Sequence, residues 1–160
     1  MASKGKKKKV APGDVATNRK ARHNFELVEK FECGIELTGS EVKSLRDGKV
    51  TIGDGYAAIE DGEVIHRNVH IAPYEPATIN NHEPERPRRL LLHRYEIERL
   101  IGSTQRKGLT LVPTRIYFKG PRAKVELALA RGKQKRDRRD EIRDRDVRRD
   151  VERELRDSRR

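Results

Sequence analysis

Tyr56-Ala57-Ala58-Ile59-Glu60-Asp61-Gly62-Glu63-Val64-Ile65-His66 decides the fold class. Two short runs rich in β-branched and aromatic residues flank Asp61-Gly62. A two-residue type I′ turn needs positive φ at both central positions, and this dipeptide accepts it, so the stretch reads as a β-hairpin. A second hairpin is expected further on. Residues 109–118 and 123–130 flank Lys119-Gly120-Pro121-Arg122, and Val125, Leu127 and Leu129 alternate with Lys124, Glu126 and Ala128. Upstream, Phe25, Leu27, Glu29 and Phe31 interleave with Glu26, Val28 and Lys30 in an imperfect period of two, and residues 33–37 form another short strand.

Helices fall between the strands. Thr38-Gly39-Ser40-Glu41 has the form of a capping box, with Val42 and Leu45 on one face of a short helix ending at Asp47-Gly48. Lys43 and Arg46 project from its exposed side. Residues 73–88 hold four prolines and read as a long, mobile loop closed by Arg86, Arg88 and Arg89. Ile97, Leu100 and Ile101 fit one helical face, with Gly102 as a C-cap. Six short strands and two or three helices predict a mainly β fold. The expected form is a six-stranded antiparallel OB-like closed barrel, an architecture that often binds RNA.

Charge divides the chain further. The 160 residues carry a net charge of +12, with 33% hydrophobic and 40% charged residues and a mean hydropathy of −0.97. Residues 1–24 hold eight Lys/Arg against one Asp, and residues 131–160 hold fourteen against nine Asp/Glu. Residues 25–130 hold sixteen of each sign. A neutral body with basic ends suits a polyanionic partner, since each neutralised phosphate releases condensed counterions. Charged ends that only keep a small domain soluble are the plainer alternative. The expected organisation is a disordered basic arm over 1–18, a barrel over 19–130, and a tail over 131–160. Val147, Val151 and Leu155 give that tail only a narrow apolar stripe, so it is expected to be disordered when free and helical against RNA.

Other classes find little support. No run of about 18 apolar residues suggests a membrane span, no apolar segment after the first lysines suggests a secretory signal, and the single Cys33 fits a reducing cytoplasm. There is no Walker loop, G-x-S-x-G or H-E-x-x-H motif. His66 and His70 are four apart, a spacing that suits a metal on a helix, but His66 lies on an expected strand and His70 follows Asn68-Val69, so no metal, cofactor or catalytic residue is expected. Glu32 beside Cys33 disfavours a reactive thiol.

Several motifs carry a resemblance. Glu41-Val42-Lys43-Ser44-Leu45-Arg46, Arg88-Arg89-Leu90-Leu91-Leu92-His93 and Gly108-Leu109-Thr110-Leu111-Val112-Pro113 occur in order. With Asn18-Arg19-Lys20-Ala21-Arg22-His23 and a basic tail opening at Gly132-Lys133, the chain resembles the SmpB family, the SsrA-binding proteins of bacteria. The resemblance implies an RNA-binding adaptor rather than an enzyme. Such an adaptor binds the tRNA-like domain of tmRNA (SsrA RNA) and brings it to the A site of stalled ribosomes for trans-translation. The implied partners are tmRNA, the ribosome and, indirectly, the elongation factor carrying alanyl-tmRNA, with the protein a monomer and no membrane involved. Glu32, Leu91 and His93 match family positions assigned to tmRNA contact. Asn18, Arg19, Arg22, His23, Lys43 and Arg46 are the further candidates for phosphate and base contacts.

For the tail, the resemblance implies contacts in the decoding centre and mRNA channel from Lys133, Lys135, Arg136, Asp137, Arg138, Arg139, Ile142 and Arg143. Arg136 stands where the family has an aromatic or His, and its guanidinium plane can also stack on a base. A generic basic OB-like ribosome-assembly or translation-initiation protein is the alternative reading of the same composition.

Overall fold

The computed structural model describes residues 13–77, 79–133 and 135–158, and the side chains of 106–107 and 135–138 are outside the description. Among the described residues there are nine strands and four helices. In chain order they are β1 (Asp14–Thr17), α1 (Arg19–Asn24), β2 (Phe25–Ile35), α2 (Gly39–Arg46), β3 (Val50–Thr51), β4 (Tyr56–Glu60) and β5 (Glu63–Arg67). There follow β6 (His70–Ile71), β7 (Arg88–Leu91), α3 (Arg94–Lys107), β8 (Thr110–Lys119), β9 (Arg122–Gly132) and α4 (Lys135–Asp157).

Seven strands form one antiparallel sheet in the order β1-β8-β4-β5-β7-β2-β9, and β9 also pairs with β8. The pairings therefore run through β8, β4, β5, β7, β2 and β9 and return to β8, while β1 shares an edge of β8 with β4. β3 and β6 pair separately. The expectation of six strands is corrected in its parts. The two strands expected over 25–37 are one strand, β2, and β1, β3, β6 and β7 are additional. All four additions are only two to four residues long, too short to show a periodic pattern.

The alternating positions build the core. Ile116, Val125, Leu127, Leu129, Cys33, Val64 and Leu90 are buried together with Leu45 of α2 and Leu100 of α3. Ala21 of α1 packs against Val112 and Ala130, covering the opposite face of β8 and β9. With Arg115 and Lys30 paired to Glu126, this cover goes with a β9 that is buried without interruption from Val125 to Ala130. Asp61 (φ 51°) and Gly62 (φ 76°) adopt the positive φ values that the hairpin turn requires. The imperfect period in β2 has a local cause. The register slips between Leu27 and Glu29, leaving Val28 as the extra residue of a β-bulge and 53% exposed.

Two boundaries differ from expectation, one at the arm and one at a helix end. Residues 14–17, placed in the arm, form β1, and Asp14 pairs with Arg115 at 2.9 Å. The rest of the expected arm, residues 1–12, lies outside the described residues. Gly102 does not end α3. The helix runs to Lys107 and stops at Gly108, whose φ of 61° places it in the left-handed region. An isolated glycine costs a helix only about 1 kcal/mol, and burial of Leu100 with Ile97 against the core offsets this.

The long loop 72–87 is fastened down. Asn81 exchanges hydrogen bonds with the backbone of Tyr74, and His82 links Ser40 of α2 to the Ile71 carbonyl at 2.8 and 2.9 Å. Beneath the loop, Glu41 and Arg88 are both fully buried and paired at 3.2 Å, with Arg86 also on Glu41 at 3.0 Å. This ion cluster ties α2 to β7.

Candidate RNA-binding surfaces

β2 separates the candidate residues into two surfaces. Glu32 lies seven residues along the strand from Phe25, roughly 23 Å at the rise of an extended chain. Near the far end of β2 a groove brings together Glu32, Leu91 and His93, three residues from distant segments. Arg122 and Lys124 of β9 and Val42 of α2 line the same groove.

Each element contributes for a local reason. Leu91 pairs with Gly34 across β7 and β2, and a Cβ at position 34 would sit 3.2 Å from the Leu91 Cβ. The absent side chain lets Leu91 lie close to β2 while remaining 48% exposed. His93 precedes α3 and its backbone N–H donates to Glu96 Oε2 at 3.0 Å, one half of a capping box. Its ring stacks parallel to that of Tyr95, with centroids 5.5 Å apart. Glu32 accepts hydrogen bonds from the Tyr117 hydroxyl and from Lys119 Nζ. These two bonds, that of Tyr117 foremost, hold the Glu32 carboxyl below its ordinary pKa, so the groove rim carries a fixed negative charge.

Lys43 and Arg46 are exposed on α2. Arg46 lies one turn from Val42, on the same helical face as that groove residue. Its guanidinium sits 4.9 Å from the Phe118 ring centre, and Lys43 lies over Tyr74 at 5.4 Å.

The second surface is built on α1, where Arg19, Arg22 and His23 are exposed. Asn18, a candidate contact by its place in the motif, is held inside the fold. It is 1% exposed, and its side chain accepts from the Ala21 N–H at 3.1 Å and donates to the Pro113 carbonyl at 2.9 Å. It is an N-cap that fixes α1 on β8. Asn18→Ala is expected to lower stability by about 1–2 kcal/mol in urea unfolding, the usual cost of a lost cap.

The tail begins beside α1. The Lys133 N–H donates to the Asn24 carbonyl at 3.0 Å. Its ammonium, assigned to ribosomal RNA by resemblance, here meets the Arg22 carbonyl at 3.3 Å and Glu141 at 2.6 Å. α4 spans roughly 34 Å at 1.5 Å per residue. Ile142, Val147, Val151 and Leu155 are about half exposed on it, and Arg139 and Arg143 are exposed. The side chains of Lys135, Arg136, Asp137 and Arg138 lie outside the described residues.

Burial first, then Glu96, pushes the Cys33 thiol up to about 12. His66 is fully buried, and burial with nearby Arg88 lowers it to about 3. Among the described residues no three His, Cys, Asp or Glu gather as a metal site.

Sequence reading missed Arg122, Lys124 and Tyr95. Arg122 follows a turn glycine and proline, and Lys124 alternates with core residues. Their positions mark them as outward-facing, but only pairing of β9 with β2 places them beside Glu32.

A small mainly β body with cationic surfaces, a fixed carboxylate and a ring pair at one groove has the chemistry of an RNA-binding module. The family model described as SmpB protein matches residues 15–157. The SsrA-binding protein of Solidesulfovibrio magneticus is 57% identical over 141 residues, covering 88% of this chain and 92% of that protein. That of Mycolicibacterium vanbaalenii is 51% identical over 156 residues, covering 97% and 94%. A chain from a solved structure of tmRNA–SmpB and the bacterial ribosome is 52% identical with a TM-score of 0.63, covering 75% of this chain and 85% of that one. The chain belongs to the SmpB family.

Proposed function

We propose that this chain is an RNA-binding adaptor that binds the tRNA-like domain of tmRNA and delivers it to the A site of stalled ribosomes for trans-translation. The observation that carries the reading is the convergence of Glu32, Leu91 and His93 on one groove edged by Arg122 and Lys124. An ionised carboxylate accepts from base amines or a 2′-OH, exposed rings stack on unpaired bases, and flanking cations take phosphates. In this reading the ring of strand pairings is an OB-like closed barrel whose rim forms the groove.

The tail is proposed to occupy the decoding centre and the vacant mRNA channel. Lys135, Arg136, Asp137, Arg138, Arg139, Ile142 and Arg143 supply its contacts, and it folds as α4 when held there. Arg19, Arg22, His23, Lys43 and Arg46 contact tmRNA phosphates around the groove and along α1. The protein acts as a monomeric adaptor, not an enzyme, in the cytoplasm beside the elongation factor that carries alanyl-tmRNA. Among the described residues no helix is long and apolar enough to cross a membrane.

Leu91→Glu tests the groove. The side chain is half exposed, so the melting temperature should stay close to that of the parent protein. A new carboxylate facing RNA should weaken binding to the tRNA-like domain by about tenfold or more, equivalent to about 1.4 kcal/mol. Unchanged affinity in a titration with labelled RNA rules the groove out as the contact.

A further inference from the structure

We propose that Tyr117 is a positioning residue for RNA recognition, fixing the Glu32 carboxylate at the groove rim, and that Arg115 fixes Tyr117 in turn. The inference rests on the reading of Glu32 as an RNA contact.

An exposed glutamate on a strand has three rotatable side-chain bonds, and ordering it for a ligand costs entropy. Here that cost is met before RNA arrives. The Tyr117 hydroxyl donates to Oε2 of Glu32 and Lys119 Nζ to Oε1, the latter at 3.1 Å. Neither donor is on a strand adjacent to β2. Glu32 pairs across to Glu126 of β9, and Glu126 pairs to Arg115 of β8, so β9 lies between. Reaching from β8 to a β2 side chain means crossing two strand spacings, about 9–10 Å. Only a long side chain can do so. The Tyr117 ring makes the crossing above β9, and Lys119, two residues on, makes it on the same face.

The ring itself is held. The Arg115 guanidinium lies over it, 4.4 Å from the ring centre. Arg115 is anchored in turn by Glu126 and by Asp14 of β1 at 2.9 Å. A relay thus runs from β1 and β9 through Arg115 and Tyr117 to Glu32. A carboxylate offers about four lone-pair sites. Two are taken by β8, which leaves acceptor capacity for a base amine or a 2′-OH. Burial first, and the bond to Glu32 next, push the Tyr117 phenol up, so it remains a donor throughout the working pH range. The sequence signal is the spacing of Arg115, Tyr117 and Lys119, which places all three on one face of β8.

The titratable and charged groups facing Glu32 are the neutral Tyr117 phenol and Lys119 on β8 and Lys124 on β9, with Glu126 directly across on β9. Lys30, on the same strand, is paired to Glu126. Removing the Tyr117 hydroxyl leaves Lys119 and Lys124 in place, so Glu32 remains ionisable but is less favoured as the anion. The acid limb of RNA binding should then move to higher pH.

The test uses the full chain and labelled tRNA-like-domain RNA. Tyr117→Phe keeps the ring under Arg115, so its melting temperature should match the parent protein. It is expected to weaken binding by about tenfold, the scale of one hydrogen bond to a charged group. In a Glu32→Ala background the same change should cost less than about twofold, because the group it positions is gone. Equal losses in both backgrounds, or no loss and no pH shift with Glu32 intact, overturn the positioning role while leaving the adaptor reading standing. If Glu32→Ala alone leaves affinity unchanged, the assignment of Glu32 to RNA fails, and the role of Tyr117 fails with it.

Discussion

Glu41→Ala is expected to destabilise the protein by about 3–5 kcal/mol, because it leaves a buried guanidinium without its partner. Arg88 and Glu41 both have fully buried side chains. Arg88 also donates to the carbonyls of Val69 and Pro84 at 3.0 and 3.1 Å, but neither neutralises its charge. Arg86→Ala is the contrasting variant. Its side chain is one-third exposed, and Glu41 keeps Arg88 when it is lost. It should cost about 1.5–3 kcal/mol, the scale of hydrogen bonds to a charged group that keeps another ion partner. Urea unfolding of the two variants measures both. A Glu41→Ala protein within about 1 kcal/mol of the parent contradicts the account, since a stranded buried charge cannot be that cheap.

The effect should reach the groove. The Glu41 cluster joins α2, which bears Val42, Lys43 and Arg46, to the strand that ends at Leu91. It should also show in the pH dependence. Burial opposes ionisation of Glu41, but the Arg86 hydrogen bond and the Arg88 charge outweigh it and hold the carboxyl below its ordinary value of 4.5. Its contribution is therefore complete above that unfolded value and is lost as pH falls through the lower folded one. His66 acts earlier. Its folded pKa is lowered from 6.5 to about 3, so the unfolded chain takes up a proton that the folded chain refuses. Stability falls as pH drops from 6.5 toward about 3. His66→Leu should flatten the melting-temperature slope between about pH 7 and 5, and an unchanged slope contradicts the assignment.

Truncation after Lys133 is expected to abolish tagging of stalled products while leaving tmRNA affinity within about twofold at moderate salt. The cut is placed by structure. Arg131 and Gly132 pair with Glu26 and Phe25, and the Lys133 N–H bonds to Asn24, so a shorter chain would damage β9 and α1. What is removed includes α4, whose apolar side chains Ile142, Val147, Val151 and Leu155 are about half exposed and whose described charged side chains from Arg139 onward are exposed. A reconstituted translation system with a message lacking a stop codon reads the tagging, and a filter-binding titration reads the affinity. Tagging that survives the truncation removes the tail from the mechanism.

The hairpin at Asp61-Gly62 was legible because its turn chemistry is local, and the β8–β9 hairpin because Val125, Leu127 and Leu129 alternate along β9, although β9 proves buried on both faces. α1 was hidden by its own charge. Asn18-Arg19-Lys20-Ala21-Arg22-His23 reads as a cationic patch, and only the buried Ala21 and the capping geometry of Asn18 reveal a packed helix. Glu41 was legible as a capping carboxylate, since that role lies within three residues. Its larger role depends on Arg86 and Arg88, more than forty residues away, which no local pattern can pair. The same holds for the groove. Resemblance singled out Glu32, Leu91 and His93 one by one, but their convergence depends on β2 pairing with both β7 and β9.

The most direct test of the adaptor account is competition binding at near-physiological salt. Labelled tRNA-like domain of tmRNA is bound to the full chain and challenged with excess elongator tRNA and an unrelated hairpin RNA. The account predicts a complex that resists both competitors, because a shaped groove with a fixed carboxylate reads more than charge. Equal displacement by every RNA would contradict it, leaving a generic basic ribosome-associated protein held to RNA by phosphate neutralisation alone.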